Sequence, residues 1–182
     1  VELSGKALQL LKEAVPAARR VAVLWNSGNQ LHRGARTATE AAAATLKVGL
    51  RLLDVRNPDD LPKAFDAIAG QRVDALLVLP DTVTLGHREP IIDFAASHRL
   101  PAMYPFSEMV EDGGLICYGA NVVENLRAAA GYVDKILKGA KAGDLPIAQS
   151  TKFDLIINLK TAKTLGLTVP PSVLLQADRV IQ

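Results

Sequence analysis

The sequence predicts an α/β fold, a three-layer α/β/α sandwich around a parallel sheet. Short and almost uninterrupted apolar runs recur at 21–25, 50–55, 75–79 and 101–104, and segments with helical spacing of apolar residues separate them. Turn or cap residues follow each run. Continuous apolar runs mark strands covered on both faces, and a helix between successive strands is what a parallel crossover requires.

Ser4 can cap a first helix whose apolar positions Leu8, Leu11 and Val15 fall at i, i+3 and i+7, with Pro16 closing it. The β-branched run 21–25 then reads as a buried strand. Helix 31–48 leads through Gly49 into strand 50–55. Asn57 caps helix 58–69, with Pro58 at the first position, where a missing N–H costs nothing. Strand 75–79 ends at Pro80-Asp81-Thr82, and helix 90–98 leads into strand 101–104. After Tyr104 the rhythm changes. Residues 105–114 show no long element, 115–118 is a short strand, and 122–137 is a helix with Val122, Leu126, Ala129, Val133, Ile136 and Leu137 near helical spacing. The run 139–143 breaks it. The tail holds strand 153–157, a short helix 159–165 closed by Gly166, a stop at Pro170-Pro171 and a last apolar piece at 173–181. This tail either extends the same sheet or belongs to another lobe.

At 182 residues the chain can bury one sizeable core, or a compact domain plus parts of a second. Apolar residues at 49% and charged residues at 22% suit a folded α/β chain and exclude disorder. Twenty-one basic against nineteen acidic residues give +2, and the basic ones form no stripe, so nucleic acid is not an expected partner. The single cysteine, Cys117, rules out an intrachain disulfide and leaves the compartment open. No apolar run is long enough to span a bilayer, and no basic-then-apolar export signal opens the chain. Because the first residue is Val, a removed upstream segment is expected.

Ligands of open parallel sheets bind beyond the carboxyl ends of the strands, beside helix N-termini. That rule selects loops 25–30, 56–60, 80–87 and 104–108. In the first, Asn26, Ser27 and Asn29 can hold a carboxylate or phosphate oxygen, or Ser27 or Asn29 can simply cap the helix while Gly28 makes the turn. In the third, Asp81, beside Thr82 and Thr84, can take a ligand ammonium or serve as a cap. In the fourth, Tyr104 and Phe106 offer an apolar wall, or core packing. Signatures of catalysis are absent from the sequence: no phosphate-binding Gly loop, no metal-ligand spacing, three dispersed histidines (His32, His87, His98) read as surface residues, and Cys117 inside an apolar strand. No enzyme activity, cofactor or metal is expected. A phosphoacceptor Asp54 or Asp81 lacks the acidic pair after the first strand, where Trp25-Asn26 stands.

Several segments together resemble the C-terminal part of ABC-transporter substrate-binding proteins with the type I periplasmic binding protein fold. They are LLKEAVP at 10–16, RVAVLWN at 20–26, DALLVLPD at 74–81, HRLPA at 98–102, GGLICYG at 113–119, YVDKILKG at 132–139, LP at 145–146 and TKFDLIINLKTAK at 151–163. The resemblance implies two lobes with a ligand cleft between them. Residues 1–19 would be the crossover helix after a missing first lobe, 20–121 the second lobe, and 122–182 a return segment contributing to the first. It further implies a solute-binding component of an ABC importer, periplasmic or exported to the cell envelope, that presents a small polar or amphipathic solute, an amino acid or related compound among the candidates, to permease subunits. By position the resemblance gives Asn26 and Ser27 the ligand carboxylate and Asp81 its ammonium, with Thr82, Tyr104 and Phe106 also lining the site. The sequence departs from the amino-acid binders in having Pro-Asp-Thr-Val where they tend to have Asp-Thr-Asn. A chain without most of its first lobe should either self-associate through the surfaces left bare or bind solute weakly. The alternative reading is the effector-sensing domain of a Lac-repressor-type regulator, which shares the fold.

Overall fold

The computed structural model describes residues 2–147 and 152–182; Val1 and Thr151, the first residue of the segment at 151–163, lie outside the described residues. Helix α1 (Glu2–Ala14) precedes strand β1 (Arg20–Trp25), α2 (Gln30–Leu46) and β2 (Gly49–Asp54). A single 3-10 turn, Pro58–Asp60, runs into α3 (Leu61–Ala69), followed by β3 (Ala75–Val78), α4 (Thr82–Gly86), α5 (Arg88–Ser97) and β4 (Ala102–Tyr104). Next come α6 (Ser107–Glu111), β5 (Ile116–Ala120), α7 (Val122–Leu137) and β6 (Phe153–Asn158), then α8 (Leu159–Thr164), α9 (Pro171–Leu174) and β7 (Arg179–Ile181).

The strands form one seven-stranded sheet in the order β2-β1-β3-β4-β5-β6-β7. The first five are parallel, β6 runs antiparallel to β5, and β7 is parallel to β6. Successive residues of a strand point to opposite faces, and β1 shows the result. Val21 and Val23 enter the core shared with Leu8 and Leu11 of α1 and Ala43 of α2, whereas Ala22 and Leu24 enter the core shared with Ile68 of α3 and Ile91 and Phe94 of α5. Two cores on either side of one sheet are the expected sandwich.

Four local expectations are corrected. Ser4 does not open the helix: it lies within α1, buried, and its hydroxyl donates to the Ala35 carbonyl of α2 at 2.9 Å. Small residues are needed there because the helices cross closely; a Cβ on Gly5 would stand 3.2 Å from the Ala38 carbonyl oxygen. Pro170-Pro171 is not a stop, since Pro171 opens α9, at the first position where its missing N–H is harmless. The last apolar piece divides into α9 and β7. Residues 105–114, expected to hold no long element, contain the five-residue helix α6.

The fourth correction concerns the tail. Residues 153–181 do not leave for another lobe; β6 pairs with β5 along five residues from Ile116↔Ile157 to Ala120↔Phe153. Leu155 and Ile157 enter one core and Ile156 the other, and the edge of β5 supplies the backbone partners that hold β6 between them. Only α7 stands apart. It has no buried residue, and Val122, Val123, Leu126, Val133, Ile136 and Leu137 are all exposed.

At the carboxyl end of β5 the chain crosses close behind β4. A Cβ on Gly119 would meet the Pro105 carbonyl, which is backbone and cannot rotate away. Gly119→Ala should therefore destabilise the chain by about 1–3 kcal/mol or more, read as a lower urea midpoint than for the wild type; an unchanged midpoint would refute this close approach.

Candidate functional site

Strand β1 is flanked by β2 on one side and β3 on the other. The chain leaving β1 enters α2 on one face, and the chain leaving β3 continues to α5 on the opposite face. The loops after β1 and β3 therefore lead to opposite faces of the sheet from adjacent strands, and their meeting point at the carboxyl edge is the position where open α/β sheets bind ligands.

Asn26 and Asn29 from the first loop meet Asp81 from the second. The Asp81 carboxylate accepts from Asn29 Nδ2 at 2.9 Å, from the Val83 N–H at 2.9 Å and from Asn26 Nδ2 at 3.3 Å to each oxygen. Each loop is also braced internally. Asn26 Oδ1 accepts from the Gly28 N–H at 2.9 Å, making the turn, and Asn29 Oδ1 accepts from the Leu31 N–H at 3.0 Å, capping α2. Asp81 likewise caps α4 through Val83.

Asp81 is 6% exposed. Burial disfavours its charge, yet hydrogen bonds from Asn29, Val83 and Asn26 outweigh that and hold its carboxyl below the ordinary value of 3.8. It is thus an ionised carboxylate, and among the described residues no Lys or Arg forms an ion pair with it. Such a group suits a ligand cation that can donate hydrogen bonds, such as an ammonium.

The remaining sequence-predicted residues are dispersed. Ser27 turns toward β2: its N–H and hydroxyl both donate to the Asp54 carboxylate, at 2.8 and 2.7 Å. Thr82 is exposed beside Asp81 as the first residue of α4. Phe106 is half-buried just before α6. Tyr104 forms no wall. Its ring is 1% exposed, lies against Gly114 in the core, and its hydroxyl is pushed well above the ordinary value by burial. Cys117 is buried too, and burial raises its thiol to about 12, so it is no nucleophile at neutral pH.

One residue was missed altogether. His32, read from the sequence as a surface residue, is 1% exposed. Its Nδ1 accepts from the Asn26 N–H at 2.8 Å and its Nε2–H donates to the Pro80 carbonyl at 2.9 Å, bridging the two loops. The available signal was its spacing, three residues beyond the Asn29 cap and so on the inner face of the first turn of α2.

The model of the family described as ABC transporter substrate binding protein matches residues 2–181. The chain belongs to that family. The chain is 26% identical to a conserved domain protein of Vibrio cholerae O1 biovar El Tor (TM-score 0.87, 97% of this chain, 60% of that one). It is 24% identical to the ABC domain from Streptococcus pneumoniae in complex with L-Trp (TM-score 0.88, 98% of this chain, 62% of that one), a likeness of fold. It is 23% identical, over 89% of its length, to a tyrosine-binding protein of Clostridioides difficile, of which it covers 47%. The chain therefore spans about half to three fifths of the length of these relatives. Its family is one of binding proteins, not enzymes, and its fold is type I periplasmic-binding-protein-like. No helix among the described residues is long and apolar enough to cross a membrane.

The lowered Asp81 pKa has a consequence for stability. With a folded value below the unfolded one, the carboxylate's contribution is fully present above the ordinary range and is lost as pH falls through the folded value. Asp81→Asn sets an NH2 group against the amides of Asn26 and Asn29. It should cost about 1–3 kcal/mol near pH 7, with the gap closing below about pH 4; denaturant titrations at both pH values measure it, and a pH-independent gap would contradict the assigned charge.

Proposed function

We propose that the protein of which this chain forms part is the solute-binding component of an ABC importer, holding a small zwitterionic solute of the amino-acid class between two lobes and presenting it to membrane permease subunits. The observation that carries this reading is Asp81: an ionised carboxylate without a cation, held by Asn26 and Asn29 where the loops after β1 and β3 meet. Asp81 takes the solute's ammonium. Asn26 turns its amide to the carboxylate, Ser27 contributes once released from Asp54, and Thr82 and Phe106 border the cleft. The names of two relatives, one in complex with L-Trp and one called tyrosine-binding, favour an amino acid despite the Pro-Asp-Thr-Val departure. Closure of the lobes on the solute would be the state the permease recognises.

In this reading residues 2–120 and 153–181 make one lobe, and α7 packs on the other. The bare apolar stripe of α7 supports this, as does the open cleft of about 650 Å³ between α7 and the β5–β7 edge, bordered by Glu111, Gly119, Asp154 and Arg179. The protein would act in the periplasm or at the cell envelope.

Full-length protein titrated calorimetrically with L-tryptophan, L-tyrosine and a panel of other amino acids should bind at least one of them, and Asp81→Asn should weaken that binding about 10–100-fold. Binding of none, or an unaltered affinity in a folded Asp81→Asn protein, would sink the reading. The isolated chain should associate through α7, seen as concentration-dependent sedimentation; a monomer at all concentrations with native-like affinity would remove α7 from an interface.

A further inference from the structure

His32 is the one buried titratable side chain at the site that neither the capping of a helix nor the recognition of a solute explains. It stands between the two loops that supply Asn26 and Asp81. Its ring accepts from the backbone N–H of Asn26 and donates to the carbonyl of Pro80, the residue immediately before Asp81. Both contacts are to backbone, so the rigid imidazole sets the separation of the two loops rather than the orientation of one side chain. Only the neutral ring protonated on Nε2 satisfies both; a proton on Nδ1 would face the Asn26 N–H, donor against donor.

The bonds that this spacing governs are the loosest at the site. Asn26 Nδ2 lies 3.3 Å from each Asp81 oxygen, against 2.9 Å for Asn29 and Val83. Asn26 thus covers both oxygens with long, weak bonds and is the donor a competing ammonium can displace. A small shift of loop 25–30 toward Asp81 would tighten that cover, and a shift away would separate the carboxylate from its partner on the other loop.

We propose that His32 is a positioning residue of the solute site, holding Asn26 and Asp81 at the spacing that lets a ligand ammonium replace the Asn26 amide. This rests on the solute-binding reading above. It is not a contact residue, because its ring is buried and both nitrogens are engaged.

The test uses full-length protein labelled with ¹⁵N-histidine, together with His32→Phe, which keeps ring volume but removes both hydrogen bonds, and His32→Gln, which retains an acceptor and a donor. The wild-type ring should show the Nε2-protonated neutral tautomer at pH 7.5. His32→Phe, folded by circular dichroism, should bind L-tryptophan or L-tyrosine, whichever the wild type binds, at least tenfold more weakly, and His32→Gln should recover part of that loss. A wild-type ring protonated on Nδ1 would overturn the proposal, as would a folded His32→Phe with wild-type affinity or a His32→Gln no better than His32→Phe. If His32→Phe does not fold, the tautomer and the affinity of His32→Gln decide. If the wild type binds neither of these but another amino acid of the panel, that one serves as the probe; if it binds none, the functional reading fails by itself, and the tautomer still decides the role of His32, Nε2-protonated supporting the bridge between the loops and Nδ1-protonated overturning it.

Discussion

The pairing of β1 with β2 on one side and β3 on the other is the constraint on which the rest of the molecule depends. Leu24 pairs with Leu53 across one edge and with Val78 across the other. The chain must therefore cross β1 to reach β3, and helices must lie on both faces. Covering both faces is what permits the four central strands to be almost wholly apolar, and opposed crossovers from neighbouring strands are what place Asn26 and Asp81 side by side at the carboxyl edge. Core and site share one topological cause.

A second economy is the use of asparagine where a strand meets a helix. The side-chain carbonyl of Asn29 caps α2 while its amide holds Asp81. Asn121 caps α7 and donates to Asp154; Asn158 caps α8 and donates to the Val110 carbonyl. An aspartate in any of these positions could cap as well but could not donate. At Asn29 the second role is electrostatic, since the amide helps keep a buried carboxylate charged. Together with the Asn26 amide and the Val83 N–H, it makes the site a set of donors built around one anion.

Helix α7 follows a different logic. Its apolar residues recur at helical spacing as regularly as those of α1, yet α1 is buried and α7 is not. Among the described residues nothing buries the apolar face of this amphipathic helix, and such a face marks a surface suited to contact with another element. The strands on either side of it, β5 and β6, pair directly, so α7 is an excursion between two adjacent strands of one sheet. That placement fits a chain spanning about half to three fifths of its relatives.

The sequence by itself determined the class of fold, nearly all the strands, the exact span of α7, and Asn26 and Asp81 as site candidates. Strand runs, cap residues and helical spacing are local patterns, and a residue at the carboxyl end of a buried strand is at the ligand edge of any such sheet. Only the tertiary structure decided which way side chains turn and what they meet. Tyr104 points into the core because strand alternation puts it beneath the sheet, and Ser27 is claimed by Asp54 from 27 residues away. His32 looked dispersed in sequence, though it binds an N–H six residues before it and a carbonyl 48 residues after it. The tail joined the sheet because an exposed edge of β5 was free to pair. Hydrophobic periodicity is written residue by residue, whereas pairing partners and buried hydrogen bonds exist only once distant segments share a surface.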